Sequence, residues 1–232
     1  MKEKKAKKTK PITVKATKKG RHIIPFLNFL RIIFIPWYFL VKPFRYYGNR
    51  KVKDGACVYV INHYTLFDAV YPAATTWEGV HFVAKREVVD APIMGAIARA
   101  VKVVPVNRDG NDVRGLLDCF KCLKNNEKIV IFPEGTRNKT GEDMLAFKHG
   151  AAIMAIRTKT PIIPMVIYNK PKLFRCTHIL IGEPFELKEY YDRKLTNEEM
   201  NEADNKIRDL MLRMKAEHRE YLQNKDLQIK VK

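Results

Sequence analysis

The sequence predicts an α/β domain with a largely parallel β-sheet flanked by helices, preceded by an N-terminal membrane-associating helical segment and closed by a C-terminal helix. Short β-branched apolar runs alternate with helical segments from residue 54 onward, which is the order of a parallel sheet. Several of these runs are continuously apolar, as in strands buried on both faces. With 232 residues and 46% hydrophobic content, the chain is long enough to bury a core.

The elements alternate regularly within an expected folded domain over residues 54–232. Thr196 and Glu199 have the spacing of a capping box, so a long helix is expected at about 197–221, with an apolar stripe that packs on the domain. Strands are predicted at 57–61, 80–84, 102–106, 128–132, 162–168 and 178–181, and helices at 67–75, 92–100, 113–124 and 148–157.

The basic charge is concentrated near the N-terminus. Residues 1–53 hold 16 of the 44 Lys and Arg residues but only one of the 25 acidic residues. Residues 1–22 are expected to be a disordered basic tail, because they have little apolar content. Such a tail favours a polyanionic partner, either anionic lipid or nucleic acid. The tail lacks the interleaved aromatic residues that stack on bases, so an anionic membrane is preferred and no nucleic-acid partner is expected.

Residues 23–53 are predicted to associate with a membrane. Residues 23–41 are the most apolar stretch, and their length approaches the roughly 20 residues of a membrane span. An interfacial segment is favoured, while a span and a buried core helix remain open. A secretory signal is disfavoured, because basic residues follow in place of a small-residue cleavage site. The stretch is interrupted by prolines, an amide and a charge: Pro25, Asn28, Arg31 and Pro36.

The four cysteines indicate neither a disulfide framework nor a metal site. Cys119 and Cys122 form a C-x-x-C within a predicted helix, and no second such pair or paired histidines complete a zinc set. A structural role and a reducing cytoplasmic setting follow as the simpler expectations.

A histidine and an aspartate follow the first predicted strand. His63 and Asp68 are five residues apart, which on a regular helix separates them by about 140°. They can meet if His63 ends the strand and Asp68 lies in the first turn of the next helix. The pair is then either a general base with its orienting carboxylate or a histidine that caps a βα turn.

Polar residues follow two other predicted strands. Arg108 and Arg137 could each bind a phosphate or carboxylate through two hydrogen bonds. Glu134 could accept hydrogen bonds, and Gly135 permits close backbone approach. Taken singly, each is a weak indication, because loop arginines are usually solvated and Glu-Gly is a common turn.

Taken together and in order, these segments resemble the glycerolipid acyltransferase family, most closely the 1-acyl-sn-glycerol-3-phosphate (lysophosphatidate) acyltransferases of bacteria. The resemblance covers roughly residues 55–190. Its first and third blocks are specific when they occur together. The blocks are Asn62 to Asp68 (Asn-His, four residues, Asp), Val104 to Arg108, Phe132 to Arg137 (Phe-Pro-Glu-Gly-Thr-Arg) and Pro161 to Pro164, with further matches at Val83 to Glu87 and Phe147 to Ala151.

The resemblance implies acyl transfer from a thioester, acyl-CoA or acyl-carrier protein, to the sn-2 hydroxyl of lysophosphatidate, giving phosphatidate. His63 would be the general base and Asp68 would orient it. No cofactor or metal is expected. The chain contains no Ser, in keeping with direct attack by the acceptor hydroxyl. The implied acceptor-binding residues are Glu134, Gly135, Thr136 and Arg137, with Arg108 and Lys85 as supporting cations.

Other acceptors stay open, including glycerol 3-phosphate, lysophospholipids and aminolipids. Because the implied acceptor and product are lipids, the protein is expected at the cytoplasmic face of the cell membrane, as a peripheral or monotopic protein.

Overall fold

The computed structural model describes residues 24–50, 55–107, 113–148 and 150–230. Within them, seven strands form one sheet: β1 Phe44–Gly48, β2 Cys57–Ile61, β3 Val80–Lys85, β4 Val104–Val106, β5 Lys128–Ile131, β6 Ile162–Ile167 and β7 Thr177–Ile181. The helices are α1 Pro25–Val41, α2 Val70–Ala73, α3 Arg86–Asp90, α4 Pro92–Ala100, α5 Val113–Lys124, α6 Gly150–Thr158 and α7 Asn197–Lys230. Two short 3-10 turns span Leu66–Ala69 and Lys188–Tyr190.

The sheet is parallel except at one pair of strands, which confirms the predicted fold class. Its strand order is β1-β7-β6-β2-β5-β3-β4, and only the β6–β7 pair among these is antiparallel. The central strand β2 lies between β5 and β6. Because β2, β5 and β3 are parallel neighbours, their carboxyl ends lie side by side at the same end of the sheet. Functional sites gather at this end in such folds.

Both faces of the sheet are covered. In β2, Val58 and Val60 face a core built with α5, α6 and α7. The alternate residues Cys57, Tyr59 and Ile61 face a second core built with α1 and α2. Successive strand side chains point to opposite faces, so burial on both sides explains the uninterrupted apolar run.

The helix α1 packs one face against the domain and exposes the other. Leu27, Arg31 and Tyr38 are its buried residues. The Arg31 guanidinium donates hydrogen bonds to the backbone carbonyls of Ala73 at 2.8 Å and Glu78 at 2.9 Å. Burial lowers the pKa of Arg31 to about 10. Among the described helices, none is both long and apolar enough to cross a membrane.

Several elements differ from the expectations. The strand β1 pairs with β7 at the edge of the sheet, within the range expected to associate with a membrane. Its residues are polar and apolar without clear alternation, so the sequence gives it a weak strand signal. The helix α3 was not predicted, and α7 continues to Lys230, past the expected end. The basic tail at 1–22 lies outside the described residues.

Candidate active site

His63 and Asp68 meet just beyond the carboxyl end of β2. The His63 Nδ1 atom lies 2.9 Å from Asp68 Oδ2, across the 3-10 turn that begins at Leu66. Asp68 is fully buried, while 18% of the His63 side chain is exposed. Because a carboxylate only accepts hydrogen bonds, Nδ1 carries the hydrogen and the neutral ring keeps its lone pair on Nε2.

The Asp68 carboxylate also organises the turn itself, here called the His63 turn (residues 62–68). Its Oδ2 accepts the backbone N–H groups of Tyr64 at 2.6 Å and Thr65 at 2.7 Å. Its Oδ1 accepts the Thr65 hydroxyl at 2.7 Å. The two interpretations left open by the sequence are therefore compatible, since one carboxylate caps the turn and holds the imidazole.

Asn62 fixes the start of the His63 turn to a neighbouring strand. Its side chain is 1% exposed, donates to the carbonyl of Ile167 at 3.0 Å and accepts the Ile167 N–H at 2.7 Å. This two-point contact joins the ends of β2 and β6. The sequence identified Asn62 only as part of a motif, and its partner lies on a strand distant in the chain.

Glu134, one of the expected acceptor-binding residues, has a buried carboxylate. It is 2% exposed, and its two oxygens accept the backbone N–H groups of His63 at 2.8 Å and Leu145 at 2.9 Å. Burial raises the pKa of Glu134, against the effect of these two hydrogen bonds and of nearby His63. The carboxylate is thus engaged inside the protein and fixes the position of His63.

Residues after β5 complete the support of His63. The Phe132 ring stacks on the imidazole with a centroid separation of 4.1 Å. The Asn138 N–H donates to the His63 carbonyl at 2.7 Å. Both polar groups of the His63 backbone are therefore bonded to the segment that contains the Phe-Pro-Glu-Gly-Thr-Arg block.

Gly135 forms the tight turn after β5. Its N–H bonds the carbonyl of Phe132 at 3.0 Å, and its φ of +67° lies in the left-handed region that favours glycine. A Cβ at this position would lie 2.9 Å from Lys148 Cδ, so the lysine stem lies directly against the turn. Thr136, Arg137 and Lys148 are exposed beside it.

Of the two expected supporting cations, one is described. Lys85 ends β3 and is exposed. Phe82 pairs with Val130, so the register carries Lys85 to the level of the turn that follows β5. Arg108 lies outside the described residues, and its expected role stays a prediction.

The helix α7 contacts the loop at residues 143–145 and the His63 turn, a contact that the sequence analysis did not predict. The Arg208 guanidinium donates to the carbonyls of Met144 at 2.8 Å and Leu145 at 3.0 Å. Lys215 lies 2.9 Å from Asp143 Oδ1 and 3.4 Å from the Tyr64 hydroxyl. Arg208 and Lys215 are seven residues apart, hence on one side of the helix, next to its apolar stripe. Two basic residues seven positions apart beside an apolar stripe were the feature of the sequence that could have indicated this contact.

The parallel sheet and the His63–Asp68 pair at the end of β2 agree with a match to a known protein family. The chain belongs to the acyltransferase family, whose sequence model, described as Acyltransferase, matches residues 43–168. That match contains β2, the His63 turn, Glu134 and Arg137.

Individual relatives point in the same direction. The 1-acyl-sn-glycerol-3-phosphate acyltransferase of Helicobacter pylori is 36% identical over 124 residues, 52% of each chain. The chloroplastic enzyme BAT2 of Brassica napus, named likewise, is 33% identical over 129 residues, 54% of this chain and 36% of the other. The human beta form is 32% identical over 158 residues, 60% of this chain and 56% of the other. The matched part thus spans about a third to just over half of these relatives' length.

A solved structure shares the fold. The crystal structure of the 1-acyl-sn-glycerophosphate (LPA) acyltransferase PlsC from Thermotoga maritima aligns with a TM-score of 0.62 at 23% identity. The alignment covers 84% of this chain and 79% of the other.

Proposed function

We propose that the protein transfers a fatty acyl group from a thioester donor to the sn-2 hydroxyl of 1-acyl-glycerol-3-phosphate, forming phosphatidate. The observation that carries this proposal is the His63 ring, whose Nδ1 bonds buried Asp68 while Nε2 keeps its lone pair. The relatives named for this reaction support the choice of acceptor. The acyl donor, either acyl-CoA or acyl-carrier protein, is a co-substrate, and the transfer needs no cofactor.

His63 acts as general base and then as general acid. The acceptor hydroxyl gives its proton to Nε2 as its oxygen attacks the thioester carbonyl. The tetrahedral intermediate collapses with cleavage of the carbon–sulfur bond, and the proton passes from the imidazolium to the departing thiolate. Asp68 holds the ring in the required tautomer and stabilises the imidazolium in between. Direct attack leaves no acyl group on the enzyme.

Exposed basic side chains near the His63 turn bind the acceptor phosphate in this proposal. Arg137 directly precedes Asn138, whose N–H bonds the His63 carbonyl. Lys148 lies against Gly135, and Lys85 ends the neighbouring strand β3. A guanidinium can hold two phosphate oxygens at once, whereas the two lysines supply point charges.

The exposed face of α1 supports the proposal that the protein acts at a membrane surface. Phe67, within the His63 turn, lies against Phe34 and Tyr38 of α1, with ring centroids 6.3 and 5.9 Å apart. An apolar helix face of this kind, in a chain whose first 22 residues are strongly basic, suits an anionic bilayer that supplies the lipid acceptor. The exposed apolar residues of α1 are Phe26, Phe29, Ile32, Ile33, Trp37, Phe39 and Leu40. In this proposal the protein binds the cytoplasmic face of the cell membrane as a peripheral or monotopic protein, and no nucleic-acid partner is expected.

The purified protein should be assayed with lysophosphatidate and each donor type, with release of free thiol as the measurement. Turnover is expected with at least one donor and should be abolished in His63→Ala. His63→Ala that turns over at the rate of the unsubstituted protein would overturn the mechanism. Melting temperatures of both proteins establish that the variant is folded.

A panel of acceptors tests the substrate. Glycerol 3-phosphate, lysophosphatidylcholine and an aminolipid are the alternatives to lysophosphatidate. A higher kcat/KM for any of them would replace the proposed acceptor. Arg137→Ala is expected to raise the KM for lysophosphatidate more than it lowers kcat, because it removes a binding contact remote from the reacting hydroxyl.

A further inference from the structure

A second group of reactive side chains lies at the amino ends of the strands, on the side of the sheet opposite to the His63 turn. His81 is near the start of β3, Glu127 directly precedes β5, and Cys122 is in the last turn of α5. The strands β3 and β5 are neighbours, with Val80 beside Lys128. The His63 turn follows the carboxyl end of β2, whereas this group lies at the amino ends of the strands. One nitrogen, one sulfur and one oxygen ligand atom all lie within 4.8 Å of one another.

We propose that His81, Cys122 and Glu127 form a binding site for a divalent transition metal, of which Zn²⁺ fits best. This site is separate from the acyl-transfer residues and does not depend on the proposed function.

The end of α5 brings Cys122 and Glu127 together. The Glu127 N–H bonds the Cys122 carbonyl at 3.0 Å, and the Asn126 N–H bonds the Leu123 carbonyl at 3.0 Å. Asn126 has a φ of +68°. These are the bonds of a Schellman motif, which often brings the third-last residue of the helix, here Cys122, into contact with the third residue after the helix, here Glu127. That contact is usually between two apolar residues, and here it joins a thiol and a carboxylate.

The backbone of the next loop sets the orientation of His81. Its Nδ1 lies 2.9 Å from the carbonyl oxygen of Lys102. A carbonyl can only accept, so Nδ1 carries a hydrogen, as in metal-binding histidines held by a backbone carbonyl. Nε2 is then directed at Glu127, 3.0 Å from Oε2. Two such acceptor atoms at this separation need a proton or a cation between them.

The set of ligand atoms selects among cations. One imidazole, one thiol and one carboxylate suit Zn²⁺, whereas Mg²⁺ and Ca²⁺ prefer oxygen alone. Tetrahedral zinc with ordinary bond lengths holds its ligand atoms about 3.3–3.7 Å apart. Reaching that geometry from 4.8 Å requires movement of about 1 Å. Cys122 and Glu127 are partly exposed, which gives access to a cation and leaves a fourth position for water.

Metal titration of the full-length protein tests this site. After treatment with a chelator, the protein is titrated with Zn²⁺ and, separately, with Co²⁺, whose bond to a thiolate gives a charge-transfer absorption in the near ultraviolet. One equivalent of metal, that absorption and a higher melting temperature with Zn²⁺ are expected. Cys122→Ser should lose the absorption and weaken Zn²⁺ binding by at least about 10- to 100-fold, because even the partners that only support a metal ligand have effects of that size. Cys176→Ser, at an exposed cysteine, is the matched control and should retain both.

Three outcomes would contradict the metal site. Failure of the unsubstituted protein to bind one equivalent of Zn²⁺ at micromolar concentration would overturn the site and indicate a His81–Glu127 ion pair instead. Survival of the cobalt absorption in Cys122→Ser would do the same. If Cys122→Ser does not fold, Glu127→Gln, which preserves size at a partly exposed turn, replaces it. An unchanged Zn²⁺ affinity in Glu127→Gln would then contradict the proposal.

Discussion

His63 Nδ1 lies 2.9 Å from Asp68 Oδ2, and the same oxygen accepts the backbone N–H groups of Tyr64 and Thr65. One carboxylate therefore determines both the ring orientation and the path of the chain beside it. Both functions require acceptor oxygens, because every one of these partners is a donor.

Asp68→Asn is expected to lower kcat by about 10³–10⁴-fold, because an amide can no longer hold the imidazole in the required tautomer. Steady-state kinetics with lysophosphatidate measure the effect. Thr65→Val removes one hydroxyl bond to the same carboxylate but keeps the backbone bond, so its loss should stay below about tenfold. A turnover for Asp68→Asn within tenfold of the unsubstituted protein would contradict the assigned role.

Asn62→Asp should destabilise the fold by about 1–3 kcal/mol, because the buried Ile167 carbonyl loses its donor and faces a carboxylate oxygen. Urea denaturation followed by circular dichroism gives the free energy of unfolding. Asn205→Asp, at an exposed position of α7, is the control and should have little effect. Equal losses in the two variants would contradict the importance of the contact between β2 and β6.

Lys215→Met is expected to lower kcat/KM by about 10- to 100-fold, because small displacements of a reacting group have effects of that size. Its ammonium group bonds both Asp143 and the Tyr64 hydroxyl, so its loss releases the loop that positions Glu134. Lys206→Met, also on α7, removes an exposed ion pair with Glu189 of the preceding 3-10 turn and should leave the kinetics unchanged. Indistinguishable kinetics in the two variants would limit α7 to packing.

His218→Phe should reduce the dependence of stability on pH. His218 lies among the rings of Tyr47, Tyr168 and Tyr221, and burial, with a contribution from nearby His178, lowers its pKa. A lowered histidine pKa means that the folded state favours the neutral ring, so stability is lost as pH falls below about 6.5. Melting temperatures at pH 7.5 and 5.5 should therefore differ less in His218→Phe. Parallel curves for the two proteins would refute this.

Ile32→Asp combined with Ile33→Asp should weaken membrane binding by at least about tenfold, since each CH₂ buried in a bilayer contributes about 0.8 kcal/mol. Both side chains are about 60% exposed on α1. Sedimentation with vesicles that contain phosphatidylglycerol measures the binding. Leu117→Asp, at an exposed position of α5 on the other face of the sheet, is the control. Equal binding by the two variants would remove α1 from the membrane contact.

Much of the fold could be predicted because its signals are local. The β-branched run of β2, the proline at the start of α4 and the capping box at Thr196 each depend on a few consecutive residues. The edge strand β1 was missed, because its pairing with β7 depends on a partner more than a hundred residues away. The reversed direction of β7 likewise follows from the connection that precedes it, and no local pattern specifies it.

The candidate site also combines contacts that the sequence could predict with contacts that it could not. By itself, the sequence determined that His63 and Asp68 could meet across a strand-to-helix turn, since five intervening peptide bonds limit their separation. Only the tertiary structure decided that Glu134 bonds the His63 backbone, that Asn62 joins Ile167, and that α7 supports the loop at residues 143–145. It also brought His81 beside Cys122 and Glu127. These contacts join segments distant in the chain, and strand order and register, rather than local propensity, set their distances.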